Sequence, residues 1–327
     1  MYKVLITTIP FGDKSHLPLD LLKNNNIEYL INPLNKKLTE EELIEMIADF
    51  NVIIAGTEPI TKKVMDNAKN LKMISRVGIG LDNVDLLEAE KQGITVSYTP
   101  DAPAPAVAEL TIGLMLTLLR SVQVSNMEMH IGKWHRFFGR RLSEITIGII
   151  GVGRIGSGVL QHLKSFGSPK ILVNDIVPDY NLDKIFNINW VDKKTIYEQA
   201  DVITIHTPLT VQTKDMIREE HLLKMKSDAI IINTARGGII NEKDLYEVMQ
   251  SGHLSGAAID VFDLEPYNGK LKDIQRCILT AHMGSMSVDC RTRMEVEATE
   301  EVVRFITNQR LENSVPEEEY AVQREGL

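Results

Sequence analysis

Apolar residues in this chain come in short runs, each followed by a longer stretch whose apolar positions recur with the period of a helix. In the first hundred residues the runs fall at 3–7, 28–31, 52–55, 73–76 and 95–97. Runs of this length read as strands, and the helical stretches between them make successive strands parallel members of βαβ units. The clearest helix start is Thr39, where TEEELIEMI places a hydroxyl N-cap ahead of three acids that suit the positive end of a helix dipole. This block predicts one small doubly wound domain.

The segment TPDAPAP at 99–105 interrupts the pattern, because its three prolines neither continue a strand nor sit inside a helix. One long helix is expected from 106 to about 129, with Leu110, Leu114, Leu118 and Val122 on its buried stripe. The arm at 133–141 carries Trp134, Phe137 and Phe138 among five basic residues, and aromatics at that density predict contact with a second subunit. A second strand series follows at 145–150, 171–174, 202–205, 229–233, 257–259 and 277–279. A last helix spans about 287–307, and VPEEEY after it reads as a solvated end. Too few residues follow 285 for a third domain, so that helix must pack back onto an earlier one.

Composition narrows the classes. At 327 residues, 43% hydrophobic and 25% charged, the chain can bury a full core in two domains. The 36 basic against 45 acidic residues leave a net charge of -9, which argues against a nucleic-acid partner. Cys277 and Cys290 have neither disulfide-framework nor metal-ligand spacing, so no metal site is indicated. The longest apolar stretch is interrupted by Glu109 and is shorter than a membrane span, and the N-terminus runs straight into a strand. A cytoplasmic protein is expected.

The chemistry gathers after the second-series strands. The run 145–150 leads into Gly151-Val152-Gly153-Arg154-Ile155-Gly156 and then a helical segment. In that context GxGxxG is a dinucleotide fingerprint: a tight turn, a close approach for a pyrophosphate, and free N–H groups at a helix N-terminus. Asp175, nineteen residues past Gly156 at the next strand end, stands where a carboxylate accepts from the ribose hydroxyls. No Arg or Lys follows it to bind a 2′-phosphate, so NAD is expected rather than NADP. The remaining strands are followed by His206, Thr207 and Pro208; by Thr234, Ala235 and Arg236; by Asp260 and Glu265; and by His282. In an open parallel sheet these all lie at the ligand-binding edge. His282 is the natural acid and base, Glu265 would orient and charge it, and Arg236 can hold a carboxylate bidentately. Asp260 would hold the nicotinamide or the network behind it. A 2-hydroxy acid and its 2-oxo acid fit this set.

Further motifs carry a resemblance: SRVGIGLDNVD at 75–85, VAELTIGLML at 107–116, HTPLTVQT at 206–213, INTARGGII at 232–240, DVFDLEP at 260–266 and TAHMGS at 280–285. With GIIGVGRIG at 148–156 they cover nearly the whole chain. The chain resembles the NAD-dependent D-isomer-specific 2-hydroxyacid dehydrogenases, most closely the short, regulatory-domain-free relatives of the D-3-phosphoglycerate dehydrogenase branch. The resemblance implies that Arg236, Glu265 and His282 are catalytic. It implies that Gly151, Gly153, Arg154, Ile155, Gly156, Asp175, His206, Thr207, Pro208, Thr213, Thr234, Ala235, Asp260, His282 and Gly284 serve NAD. The loop Arg76, Val77, Gly78, Ile79 and Gly80 resembles the one whose amides receive the substrate carboxylate. The implied fold is a Rossmann-type NAD domain, 99–287, inserted into a flavodoxin-like doubly wound substrate domain, 1–98 with 288–327. A homodimer through 106–141 is implied as well.

Two departures stand out. Ala281 replaces the proline that commonly precedes the family's histidine. Where some phosphoglycerate dehydrogenases place a phosphate-binding arginine, this chain reads Ala55-Gly56-Thr57-Glu58. A Glu58 carboxylate at the mouth of the site would repel a phosphate and accept from a hydroxyl or amine instead. The expected activity is hydride transfer between NAD(H) and a D-2-hydroxy acid/2-oxo acid pair, with 3-phosphoglycerate, glyoxylate, hydroxypyruvate or a sugar-derived acid as candidates. The alternative is an NAD(H)-sensing, corepressor-like binding protein.

Overall fold

The computed structural model describes residues 2–325. It divides into two compact units, the chain up to Pro103 together with the chain from Met286 onward, and Ala104–Ser285.

The first unit alternates β1 (Lys3–Ile6), α1 (Leu17–Asn24), β2 (Glu28–Ile31), α2 (Glu40–Ile47), β3 (Val52–Ala55), α3 (Lys62–Asn67), β4 (Met73–Arg76), α4 (Leu86–Lys91) and β5 (Thr95–Ser97). Thr39 caps α2 through the Glu42 N–H, and Glu42 returns the bond to the Thr39 N–H, the reciprocal box that the local sequence predicts. All pairings between the strands are parallel, in the order β2-β1-β3-β4-β5. This is the flavodoxin-like order, whose direction reverses between β1 and β3. Leu5, Ile53, Ile74 and Val96 anchor one core cluster against the helices.

The second unit begins with α5 (Ala104–Leu119) and α6 (Val122–His130). The single long helix expected here is two helices bent by 62°, and Ser121 between them has φ 51. The buried stripe is therefore that of α5, with Val107, Ala108, Ile112, Leu114, Met115 and Leu119, while Val122 is exposed and α6 buries nothing. No single helix among the described residues is long and apolar enough to cross a membrane. There follow β6 (Thr146–Ile150), α7 (Arg154–Leu163), β7 (Lys170–Asn174), β8 (Ile188–Trp190), α8 (Lys193–Gln199), β9 (Val202–Ile205), α9 (Glu219–Leu222), β10 (Ile230–Asn233), α10 (Glu242–Gln250), β11 (Gly256–Ile259) and β12 (Cys277–Leu279). The strands form one parallel sheet, β12-β11-β10-β9-β6-β7-β8, the doubly wound Rossmann order with its reversal between β6 and β9. Strand β8 has no counterpart in the sequence reading.

The chain then returns to the first unit as α11 (Val288–Ile306), capped by Ser287, and α12 (Glu317–Arg324). The tail read as solvated is docked instead. Val315 is buried in the core cluster with Tyr320 against it, Ser314 bridges Ser97 at the free edge of β5, and α12 lies on α4.

Candidate active site

In the second unit the carboxyl ends of β6 and β9 meet at the reversal point. Gly151 has φ +92, and a Cβ there would lie 2.6 Å from the His206 carbonyl, so only glycine lets the two strand ends close together. Helix α7 then starts at Arg154 with Gly153 as a cap that offers no side-chain acceptor, leaving its first N–H groups to a ligand. Asp175, at the end of β7, accepts from the Val152 N–H at 2.7 Å and the Val177 N–H at 3.0 Å, which fixes the carboxylate beside the glycine turn. Exposed Ile176 and Val177 follow it, with no cation among them. Thr207 Oγ1 and His206 Nδ1 are buried without protein partners at this same place. An uncapped helix end, a fixed carboxylate and an unpartnered hydroxyl fit a dinucleotide lying over the β6–β9 edge. Arg154 and Ile155 open α7, and Thr213 closes its own loop by donating to the Pro208 carbonyl at 2.7 Å.

His206 is held by Thr204, with Nε2 and Oγ1 2.9 Å apart. Burial pushes its pKa down to about 3, so the ring stays neutral.

The next three strand ends bring the expected acid–base residues together. Asp260, which ends β11, is 1% exposed. Its Oδ1 accepts from the Thr280 hydroxyl at 2.6 Å and the Met283 N–H at 2.7 Å, and its Oδ2 accepts from the Gly284 N–H at 2.8 Å. The His282 N–H donates to the Asp260 carbonyl at 2.9 Å. Asp260 thus holds the loop that carries His282, with three of its acceptor positions taken by that loop. Burial raises its pKa against the lowering effect of these donors. The loop needs that hold, because His282 itself sits in the left-handed region at φ 51.

The His282 ring faces the preceding loop, with Nδ1 2.9 Å from Glu265 Oε2 and 3.1 Å from Oε1. A carboxylate only accepts, so Nδ1 carries a hydrogen and Nε2 is the ring atom left able to exchange a proton. Glu265 is itself oriented by the Phe262 N–H at 3.1 Å. Arg236 lies on the loop after β10, with its Nη1 donating to the Ala235 carbonyl at 2.7 Å. Gly237 packs so closely on the Phe262 backbone that a Cβ would lie 2.1 Å from its carbonyl, so the Arg236 loop rests directly on the Glu265 loop. Asn233, which the sequence reading passed over, is 2% exposed; it accepts from the Ala235 N–H at 3.0 Å and donates to the Arg236 carbonyl at 2.8 Å. Thr234 is fixed by Thr111, hydroxyl to hydroxyl at 2.9 Å.

In the first unit the reversal point again collects the candidate loops. Glu58 is not at a pocket mouth. It is 2% exposed, and its carboxylate accepts from the Thr7 hydroxyl and from the Gly56 N–H at 3.0 Å. The residue thus ties the β1 and β3 ends together, because a buried carboxylate is tolerated only where donors surround it. Arg76 is 6% exposed, with its guanidinium turned onto the Val77 carbonyl and onto Asn83 Oδ1 at 3.3 Å. In its loop the Val77 N–H is committed to the Ala55 carbonyl and the Gly78 N–H to the Thr99 hydroxyl, so Ile79 and Gly80 hold the amides the loop can offer. A second buried pair spans this face: Arg291 donates to Glu295 at 2.6 Å, to the Thr8 hydroxyl at 2.8 Å and to the Pro10 carbonyl, while Glu295 accepts from the Gly12 N–H at 2.9 Å.

Residues 112–284 match the family model described as D-isomer specific 2-hydroxyacid dehydrogenase, NAD binding domain. The chain belongs to the D-isomer specific 2-hydroxyacid dehydrogenase family. As a member it is an NAD-dependent oxidoreductase of 2-hydroxy acids. It is 36% identical over 277 residues to a hydroxypyruvate reductase of Thermotoga maritima, covering 83% of this chain and 89% of that protein. A D-3-phosphoglycerate dehydrogenase of Methanocaldococcus jannaschii is 37% identical over 284 residues, and there the match covers 85% of this chain but only 54% of the relative. Among solved structures, the TT0316 protein from Thermus thermophilus superimposes with a TM-score of 0.87 at 31% identity, covering 96% of this chain and all of that one.

Two outcomes follow from the geometry. Asp260→Asn puts an amide N–H₂ against groups that all donate, and turnover should fall about ten- to a hundredfold as His282 loses its position; steady-state kinetics near wild type would remove Asp260 from this role. Below pH 6.5 the unfolded chain protonates His206 while the folded ring refuses the proton, so the fold loses stability as pH falls toward 3. His206→Gln should flatten that slope by up to about 1.4 kcal/mol per pH unit, read from urea melts at a series of pH values.

Proposed function

We propose that this protein reduces a small, unphosphorylated 2-oxo acid of the glyoxylate or hydroxypyruvate kind to the D-2-hydroxy acid with NADH. The His282–Glu265 pair carries the reading. NAD(H), when bound, supplies or accepts the hydride. His282 gives the proton from Nε2 to the forming alkoxide, and Glu265 stabilises the ring while it is charged. Arg236 holds the substrate carboxylate and leans on the carbonyl oxygen. The nucleotide would be held by Gly151, Gly153, Arg154, Ile155 and Gly156, with Asp175 for its ribose and His206, Thr207, Pro208, Thr213, Thr234, Ala235 and Gly284 beside it. The substrate carboxylate meets the amides of Ile79 and Gly80.

The preference for an unphosphorylated acid rests on the first unit. Both guanidinium groups at its reversal point, Arg76 and Arg291, are buried and bonded to the protein's own oxygens, so neither is presented to a phosphate. The hydroxypyruvate reductase similarity, spanning nearly all of that relative, points the same way.

We further propose a homodimer through 106–141. Ile131, Trp134 and Phe138 are 69%, 82% and 105% exposed, an apolar arm that one chain leaves in water. Buried, unpaired Cys277 and Cys290 suit a reducing compartment, the cytoplasm.

Stopped-flow measurement with a panel of 2-oxo acids should show His282→Gln binding NADH as the wild type does while turning over about a hundred- to ten-thousandfold more slowly. Near-normal turnover would sink the assignment. In sedimentation the wild type should run as a dimer and a Trp134→Glu, Phe138→Glu double variant as a monomer; an unchanged dimer would place the interface elsewhere.

A further inference from the structure

The last ten described residues make one contact that their surface position does not require. Gln323, on α12, turns its side-chain amide onto the backbone between β4 and α4. Its Nε2 donates to the Val84 carbonyl at 2.7 Å and to the Leu81 carbonyl at 3.4 Å, and its Oε1 accepts from the Leu86 N–H at 2.8 Å. Leu86 is the first residue of α4, so the amide caps a helix start and fixes the turn before it in one step. Leu81 directly follows Gly80, one of the two amides available to a substrate carboxylate.

The same turn reaches the other candidate loop. Asn83, inside the segment that Gln323 holds, donates to the Gly56 carbonyl at 3.2 Å and the Glu58 carbonyl at 2.7 Å, and accepts from Arg76 Nε. Its own carbonyl accepts from the Ile60 N–H at 2.7 Å, and Val84 bridges Ile60. One side chain therefore controls a turn that in turn holds residues 56–58, Arg76 and the end of the 76–80 loop. The rest of α12 serves to seat it. Val315 and Tyr320 pack into the core cluster, whereas Arg324 reaches Glu90 only through an exposed ion pair at 3.4 Å, which contributes little.

We propose that Gln323 is a positioning residue for the 2-oxo acid: it sets the Ile79–Gly80 amides through the 81–86 turn and thereby sets KM for the acid without touching the chemical step. The proposal rests on the reading of 76–80 as the carboxylate-receiving loop. Gln323→Ala removes the hydrogen bonds without adding bulk. Gln323→Glu keeps the acceptor for the Leu86 N–H but replaces the donor with a carboxylate facing two carbonyls. Both should raise KM for the 2-oxo acid about three- to tenfold, with kcat and KM for NADH within about twofold of wild type. Arg324→Ala, next on the same helix, should change none of the three.

Hydrogen exchange on the apo protein reads the contact independently of activity. In Gln323→Ala the peptides covering 81–86 and 56–60 should exchange faster, while those of the second unit should be unchanged. A normal KM for Gln323→Ala despite faster exchange would overturn the proposal, as would exchange that does not change. A KM increase shared by Arg324→Ala would also overturn it, since that would report loosening of α12 as a whole. If the wild type reduced no 2-oxo acid, the functional reading would fail, and exchange at 81–86 would still decide whether Gln323 holds the turn.

Discussion

The active-site face of the second unit depends on one buried carboxylate. Asp260 ends β11 with no exposure to speak of, and its two oxygens take three donors from residues 280–284. A carboxylate without partners at that depth would cost several kcal/mol, while hydrogen bonds to a charged group each return about 1.5–3 kcal/mol. The donors therefore cannot drift away cheaply. This is what allows His282 to remain at a positive φ, a conformation a free loop would leave. In a relative with proline before the histidine, ring geometry would stiffen the approach; here Ala281 does not, and the Asp260 hydrogen bonds supply the constraint.

Both units apply the same rule to different ends. A parallel doubly wound sheet must open a crevice where its strand order reverses, beyond the carboxyl ends. In the second unit that point lies between β6 and β9, where Gly151, His206 and Thr207 meet. In the first it lies between β1 and β3, where Thr7, Thr8, Gly56 and Glu58 meet. Each crevice is stiffened from beneath by polar side chains rather than by extra apolar packing: Asn233 and Asp260 in one, Asn83, Glu58 and the Arg291–Glu295 pair in the other. Polar struts suit a strand end, because the loops leaving it expose backbone donors and acceptors that apolar residues cannot satisfy.

Most of the architecture was legible because it follows local periodicity. Apart from β8, the strands of both sheets fall within a residue or two of the apolar runs, and Thr39 caps the helix it precedes. The failures have physical causes. Strand β8 is three residues long at a sheet edge, and its alternation is too short to register. The α5–α6 bend was hidden because the apolar spacing runs through Ser121 uninterrupted, and only a backbone dihedral marks the break. The tail looked solvated because PEEEY is polar, yet one valine, one tyrosine and one glutamine suffice to seat it. That His282 and Glu265 would meet was legible from their place after strands. Glu58 was misread because a carboxylate beside a loop does not reveal whether its donors are a ligand or Thr7. Asn233, Asn83 and Thr280 were missed for the same reason, since side-chain clamps join segments that no local pattern connects.

The charge distribution completes the logic. A chain of net charge -9 that takes an anionic nucleotide and an anionic acid must gather positive potential locally. Arg76, a candidate from the sequence, does not contribute to the surface, nor does Arg291: both are consumed as internal struts. Beside Arg154 and Arg236, the donors for anions in the proposed reading are backbone amides, at the α7 N-terminus and at Ile79–Gly80. Amides recognise a carboxylate by the direction of their N–H bonds rather than by net charge, so their affinity depends on how rigidly the peptide planes are held. In the proposed reading the struts are therefore part of recognition: a guanidinium buried under a loop serves a small carboxylate by fixing amides, whereas one facing the ligand through solvent would have its attraction screened.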